Sequence, residues 1–303
     1  MSKKFLISVV GATGIGKTAL SIRLAKHFNT EIISCDSRQF YKEMSIGTAV
    51  PEPEELNAVT HHFIQDRSIH TNYSVGQFEK EALRVLETLF KKNDVVIMVG
   101  GSGLYVKAVT EGLDVFPDID PSIREQLIKT FNTSGIAPLV AQLEALDPDS
   151  YQTIDKDNHQ RVIRALEVCL GTGKPYTSFL KNKTGNRSFN TLSIGLSADR
   201  EIVYKRINQR VDKMIDKGLF EEAKALYPHR ELNALQTVGY KEMFQHLDGL
   251  LTMEEAIQEI KKNTRRFAKR QGTWFRKDST IKWFDYQSDF EHIIKYLHTQ
   301  FSI

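Results

Sequence analysis

The sequence predicts an α/β fold, a parallel sheet flanked by helices, with a helical insertion subdomain and a helical C-terminal region. Three observations carry that expectation. Short apolar runs alternate with amphipathic segments through the first hundred residues. A glycine-rich turn, "GATGIGKT", joins the first such run to the first amphipathic segment. From Pro121 to about Lys181 the pattern becomes wholly helical, and then a strand-like run resumes.

The elements follow in order. "KFLISVV" is a buried strand, and "KTALSIRLAKHF" is amphipathic, with Leu20, Leu24 and Phe28 spaced by four. "EIISCDS" reads as a second strand, "SVGQFEKEALRVLETLFKK" as a long helix and "DVVIMVGGS" as a third strand. Strands alternating with helices imply a parallel sheet covered on both faces, whose ligands bind at the carboxyl ends of the strands. The segments at Gly11, Asp36 and Gly100 each begin where a predicted strand stops, so they are expected to line one cleft. "SIREQLIKTF", "APLVAQLEAL" and "HQRVIRALEVCL" form the helical block, "NKTGNRSFN" is polar and turn-rich, and "TLSIGLSA" returns to the sheet. After Asp199 the chain reads as helical again, in "REIVYKRINQRVDKMIDKGLFEEAKALY" and "TMEEAIQEIKKNTRRFAKRQGTWFRK". This divides the chain into a core over 1–117, an insertion over 118–189 and a core continuation with basic helices over 190–303.

Composition narrows the functional classes. With 41% apolar and 26% charged residues the chain is an ordinary soluble globular protein, and its apolar runs are too short to cross a bilayer. The N-terminus lacks a cleavable signal pattern, and two cysteines, Cys35 and Cys169, exclude a disulfide framework, so the expected location is the cytoplasm. Both cysteines read as small buried apolar residues. Between Lys261 and Lys277 lie eight basic residues and no acidic one, enough to turn a remainder of net charge −5 into +3 overall. Such a stretch is either a solvated helix face or the contact surface for an anionic partner, with nucleic acid the leading candidate.

The chemistry begins at Gly11–Thr18. "GATGIGKT" fits G-x-x-x-x-G-K-[ST] between a strand and a helix, the context in which backbone amides and the helix N-terminus cradle phosphate. Lys17 is placed to neutralise a terminal phosphate and the Thr18 hydroxyl to ligate Mg²⁺. The motif does not distinguish a triphosphate donor from a diphosphate leaving group. A hydrolase's acidic strand end is missing, because "DVVIMVGGSGLY" ends in glycines. Asp36, in "ISCDSRQFY", is the acidic residue at a strand end and reads either as a general base or as a helix cap.

"GATGIGKT", "DSRQFYKEMSIGTA", "HHFI", "VGGSGLY", "HQRVIRALEV" and "AKRQGTWFR" together resemble the tRNA dimethylallyltransferases, the tRNA isopentenyltransferases, of bacterial type. The resemblance covers the chain from about Leu6 to Trp283. It implies a P-loop kinase-like core with a helical insertion. It also implies transfer of a dimethylallyl group from dimethylallyl diphosphate to the exocyclic amine of the adenosine 3′ of the anticodon, in tRNAs reading codons that start with U. Gly11, Ala12, Thr13, Gly14, Ile15, Gly16, Lys17 and Thr18 would then hold the diphosphate, with Mg²⁺ on Thr18 and Arg210 as a further cation. Arg206, one helical turn away, is the weaker candidate. Asp36 would act as general base. Ser37, Arg38, Gln39 and Ser102 would line the nucleotide site, and Arg124, Gln160, Arg161 and Arg164 would contact the anticodon stem-loop. The basic helix would attract the RNA backbone, with Phe267, Trp274 and Phe275 docked inward. One chain encloses the family's RNA pocket, so a monomer is expected.

Ser45, Val50, Gln65 and His159 depart from the family's usual residues, and Ser102 stands where Thr is common. None of the departures removes a proposed catalytic group. His61 and His62 have no partner at zinc spacing and read as packing beside the cleft. Two other readings remain open on the residues alone: a P-loop small-molecule or nucleoside kinase using ATP, and a non-enzymatic RNA-binding protein gated by a nucleotide.

Overall fold

The computed structural model describes residues 3–180 and 187–301. Residues 181–186, which include the first five of the turn-rich "NKTGNRSFN" segment, lie outside them. The chain divides into two compact units, Met1–Thr110 with Arg187–Ile303, and Glu111–Asn186.

The larger unit is built on six parallel strands: β1 (Phe5–Gly11), β2 (Ile32–Ser34), β3 (His61–His62), β4 (Val95–Val99), β5 (Asn190–Ser197) and β6 (Lys282–Asp285). Their spatial order is β3-β2-β4-β1-β5-β6. β1 and β4 are buried at every residue, and the pattern is continuous apolar rather than alternating because helices cover both faces. Successive side chains of β1 point to opposite layers. Phe5, Ile7 and Val9 pack with Leu20 and Leu24 of helix α1 (Lys17–His27) and with Ile293 and Leu297 near the C-terminus. Leu6 and Val10 share the other layer with Phe78, Ala82 and Leu86, and with Val106 and Val109. A one-residue slip would exchange the two sets, so the register Phe5↔Val95 through Val9↔Val99 is firmly specified.

The helices of this unit continue with α2 (Pro53–Ala58), α3 (Val75–Leu89) and α4 (Gly103–Glu111). Ser74 and Gln77 form a capping box at the start of α3, which is why that long amphipathic stretch begins where it does. In the smaller unit, α5 (Pro121–Ser134), α6 (Ala137–Leu146), α7 (Pro148–Thr153) and α8 (His159–Thr172) close over Leu127, Leu139, Leu143, Val162 and Leu166. Asp147 caps α7 and also binds Thr177, so its burial leaves no unpaired carboxylate.

After β5 the chain forms α9 (Arg200–Asp216), α10 (Leu219–Leu226), α11 (Tyr240–Leu247), α12 (Met253–Phe275) and α13 (Phe290–Phe301). A strand follows the helical segments read from the sequence. Lys282–Asp285 forms an edge strand on β5, and Trp283 lies against Gly195, which has no side chain to obstruct it. Four residues flanked by polar turns carry too little periodicity to reveal a strand in advance. The long run after Asp199 is also two helices, because Gly218 takes a left-handed φ of 94° between them. Cys35 and Cys169 are free and buried. Among the described residues no helix is long and apolar enough to cross a membrane.

Candidate active site

The phosphate loop leaves β1 at the centre of the sheet, between β4 and β5, and ends at the first residue of α1. Gly14 and Gly16 have φ of 77° and 111°, a region that side chains disfavour, and this aligns the loop with the helix N-terminus. Two loop side chains face inward: Ile15 is 1% exposed and belongs to the core, and Ala12 packs against the same core, so these side chains anchor the loop. Arg206 holds it from the other side, its Nε donating to the Gly14 carbonyl at 2.7 Å. Sequence reasoning ranked Arg206 below Arg210 as a phosphate ligand. The structure gives it a different task, pinning the loop backbone.

Two clefts meet at this loop. The smaller, about 60 Å³, is lined by Thr13, Lys17, Thr18, Asp36, Gln39, His61, Gly100, Gly101 and Arg210. The three strand exits at β1, β2 and β4 therefore converge, as the placement of Gly11, Asp36 and Gly100 required. The larger, about 420 Å³, is lined by Ser37, Arg38, Thr48 and Ser102, and by apolar Val211, Met214, Val238, Ile260 and Phe267. Thr13, Asp36 and Arg210 line both.

Their electrostatics are lopsided. Among the described residues neither Lys17 nor Arg210 has an ion-pair partner, and Lys17 Nζ donates only to its own loop, to Ala12 O at 2.8 Å. Burial, and then the charge of Arg210, pull the Lys17 ammonium down to about 8, against an upward pull from Asp36. Burial also lowers Arg210, with Asp36 opposing. Two half-buried cations with no ion-pair partner and only the Asp36 carboxylate between them are costly unless a further anion joins them. Asp36 accepts from the Arg38 amide through Oδ1 at 3.0 Å, while Oδ2 has no hydrogen-bond partner among the described residues. Burial raises the Cys35 thiol well above its ordinary range, which keeps this neighbour unreactive.

Around Asp36 the backbone is tied down. The Ser37 amide donates to Ser102 Oγ at 3.1 Å, and the Ser102 hydroxyl donates on to Ser37 Oγ at 3.2 Å. The Arg38 guanidinium donates to the carbonyls of Asn233 and Ala234, and Gln39 Nε2 to those of Thr48 and Ala49. Arg38 and Gln39 thus brace the wall of the cleft. The loop at 45–49 is held by a residue that gave no sign in the sequence, Glu222 on α10. Its carboxylate accepts from the amides of Ser45, Ile46 and Gly47 and from the Tyr240 hydroxyl, over 2.6–3.1 Å. Glu222→Ala is expected to destabilise the protein by about 2–4 kcal/mol, measured by denaturant unfolding, since three amides and a phenol lose their acceptor. Two of the departures from the family pattern are partners here, Gln65 Nε2 donating to Ser45 Oγ at 2.6 Å. A third, His159, stacks on Phe131 with ring centroids 4.4 Å apart.

His61 Nδ1 donates to Val59 O, 2.8 Å away, and His62 pairs with Glu31. Among the described residues no group of three or more His, Cys, Asp or Glu side chains could hold a metal ion. The Thr18 hydroxyl has no hydrogen-bond partner among the described residues and lines the small cleft. This sparse oxygen donor set fits Mg²⁺, which takes most of its shell from phosphates and water, and does not fit zinc.

The basic helix is α12, and it is only partly a free surface. Lys261 pairs with Asp212, Lys262 with Glu259, and Arg265 binds Asn208. Arg266, Lys269, Arg270 and Lys277 are exposed and line a groove with Trp274. The expected inward docking of three aromatics holds for Phe275 alone, 3% exposed, whereas Phe267 and Trp274 are 40% and 43% exposed. The buried positions are Ala256, Ile260, Ala268, Gln271 and Phe275. Phe267 follows buried Ile260 by seven residues, so the helical period alone does not expose it: Phe267 opens into the larger cleft and Trp274 into the basic groove. In the smaller unit Gln160 and Arg161 are exposed at the first turn of α8, while Arg124 and Arg164 converge on Glu167 at 3.0 and 3.1 Å.

Comparison with known proteins identifies the family. The family model described as IPP transferase matches residues 39–278. The chain is 57% identical to a tRNA dimethylallyltransferase of Flavobacterium johnsoniae over 97% of each chain, and 58% identical to one of Christiangramia forsetii over 98% of each. Its fold matches a crystal structure of the full-length tRNA isopentenylpyrophosphate transferase of Bacillus halodurans, with TM-score 0.72 and 39% identity, covering 99% of this chain and 96% of that one. A eukaryotic dimethylallyltransferase captured acting on tRNA matches at TM-score 0.79 and 27% identity, over 94% of this chain and 74% of that one. A glycine-rich loop at the sheet centre, two cations awaiting an anion and a free carboxylate oxygen beside them thus stand in a chain that belongs to the tRNA dimethylallyltransferase family.

Proposed function

We propose that this chain transfers the dimethylallyl group of dimethylallyl diphosphate to the exocyclic amine of the adenosine at tRNA position 37, next to the anticodon, in tRNAs that read codons starting with U. The observation that carries the proposal is the pair of adjoining clefts sharing Thr13, Asp36 and Arg210. One is small, polar and flanked by unpaired cations, and the other is larger and partly apolar. A diphosphate and a five-carbon tail with a base call for those two environments.

The division of labour follows from the groups present. The loop amides, Lys17 and Arg210 receive the charge that develops on the diphosphate as its bond to the allylic carbon breaks. Mg²⁺, held by the Thr18 hydroxyl with Asp36 beside it, would supply further charge neutralisation on the same oxygens. The amine nitrogen forms the new bond to carbon, and its proton passes to Asp36 Oδ2. The target base must leave its stack to enter the larger cleft, where exposed Phe267 offers an aromatic face and Arg270 a cation. Arg266 and Lys269 on α12, Lys277 just beyond its end, and Gln160 and Arg161 on α8, supply the RNA contacts, with Arg124 and Arg164 oriented by Glu167. A single chain lines both clefts, so the protein acts as a monomer. Free cysteines and an RNA substrate fit the cytoplasm.

The kinase reading is not favoured, because the relatives are transferases that act on tRNA. The test is nucleoside mass spectrometry of unmodified tRNA incubated with the protein, Mg²⁺ and dimethylallyl diphosphate, beside an ATP control. Isopentenyladenosine should appear only with the allylic donor. ATP consumed on a hydroxyl acceptor, with no prenylated adenosine, would return the protein to the kinases.

A further inference from the structure

Gln271 lies on the buried stripe of α12 and is 7% exposed, an uncharged polar side chain inside an otherwise basic stretch. Its amide makes two hydrogen bonds to two different loops. Oε1 accepts from the Thr13 amide at 2.9 Å, and Nε2 donates to the Gly101 carbonyl at 3.0 Å. The partners dictate the orientation, since a backbone N–H can only donate and a carbonyl can only accept. Among side chains of this length, an acceptor and a donor on one carbon are found in glutamine and in protonated glutamate alone. The fit is close: a side chain at Gly101 would put its Cβ 2.2 Å from Gln271 Nε2.

The two loops belong to opposite halves of the reaction. Thr13 is on the phosphate loop and lines both clefts. Gly101 precedes Ser102, whose hydroxyl accepts from the Ser37 amide beside Asp36. One side chain therefore joins the donor-holding loop to the turn that fixes the base. Among the described residues no other side-chain hydrogen bond makes this link.

We propose that Gln271 is a positioning residue that sets the distance between the bound diphosphate and Asp36. This rests on the transferase reading above. Loss of the clamp misplaces reacting groups without removing any of them, so the penalty falls on turnover and not on RNA affinity. The first test is Gln271→Met, which keeps volume and loses both hydrogen bonds. The expected result is a fall in kcat of about 10- to 100-fold with the KM for tRNA unchanged within twofold. The second is Gln271→Glu, measured as its ratio to wild type across pH. The ionised carboxylate cannot donate to Gly101 and repels its carbonyl, whereas the neutral acid reproduces both bonds. The ratio should thus rise as pH is lowered, a rescue that a packing role would not produce. A Met variant within twofold of wild type, or a Glu ratio indifferent to pH, overturns the proposal.

Hydrogen exchange of the Thr13 amide separates this inference from the reading beneath it. That amide should be protected in the free wild-type protein and exchange faster in Gln271→Met. Equal exchange in both overturns the clamp even where wild type prenylates tRNA. Absence of prenylation by wild type sinks the transferase reading and leaves the exchange result to decide the clamp.

Discussion

Replacing Asp36 with Asn is expected to lower the rate of prenyl transfer by about 10²- to 10⁴-fold while leaving tRNA affinity within a few-fold of wild type. The substitution is nearly isosteric. Asn can still accept from the Arg38 amide, so the braced turn that Ser37, Arg38 and Ser102 build should persist. What disappears is the proton acceptor at Oδ2. Asp36→Ala should lose transfer to a similar extent and in addition loosen the turn. Both changes also remove the negative charge that favours the protonated form of Lys17, so part of the loss should be recovered by working at lower pH. Single-turnover transfer and equilibrium RNA binding, measured on the same preparations, separate the two effects. Transfer retained in Asp36→Asn would take the residue out of the reaction.

The second large effect belongs to Lys17. Its ammonium is brought to about 8 by burial and by Arg210, so near neutral pH it is charged and short of a counter-ion. A diphosphate binds the charged form. The sign is therefore fixed: below about pH 8 binding takes up no proton at this group, and above it each bound anion must bring one. Affinity for inorganic pyrophosphate should weaken by about tenfold per pH unit above that point, and calorimetry in buffers of different ionisation enthalpy should register the proton uptake. Lys17→Met should remove this pH dependence and cost transfer about 10²- to 10³-fold, the scale found when one preorganised charge-stabilising donor is removed. A pH-independent pyrophosphate affinity in the wild-type protein would mean that Lys17 is not a ligand of the leaving group.

The alternation of "KFLISVV", "KTALSIRLAKHF" and "DVVIMVGGS" was enough to specify the class of fold, because a parallel strand buried on both faces must be apolar throughout. The phosphate loop was legible for a similar reason. Glycines at Gly14 and Gly16, followed by Lys17 and Thr18, are a local pattern, and the helix N-terminus they require follows at once in the chain. Asp36 was visible as an acidic residue at a strand exit, and Arg210 came through family likeness. Residues whose work depends on distant partners were not visible. Glu222 acts on amides more than 170 residues earlier in the chain, and Gln271 on a loop 258 residues away. Neither leaves a periodicity or spacing, since a side-chain hydrogen bond across the fold constrains only two positions. The same limit explains β6, whose four residues become a strand because β5 offers an open edge. It explains Phe267 and Trp274, whose helical spacing sets them near the buried positions of α12 and which are exposed because clefts open beside them. The sequence by itself determined the strand and helix classes, the phosphate loop and the chemical types in the site. Only tertiary structure decided which cations lack partners and which oxygen of Asp36 is free. It alone decided which side chains hold the two loops in register, because charge pairing and hydrogen-bond satisfaction are settled between segments and not within them.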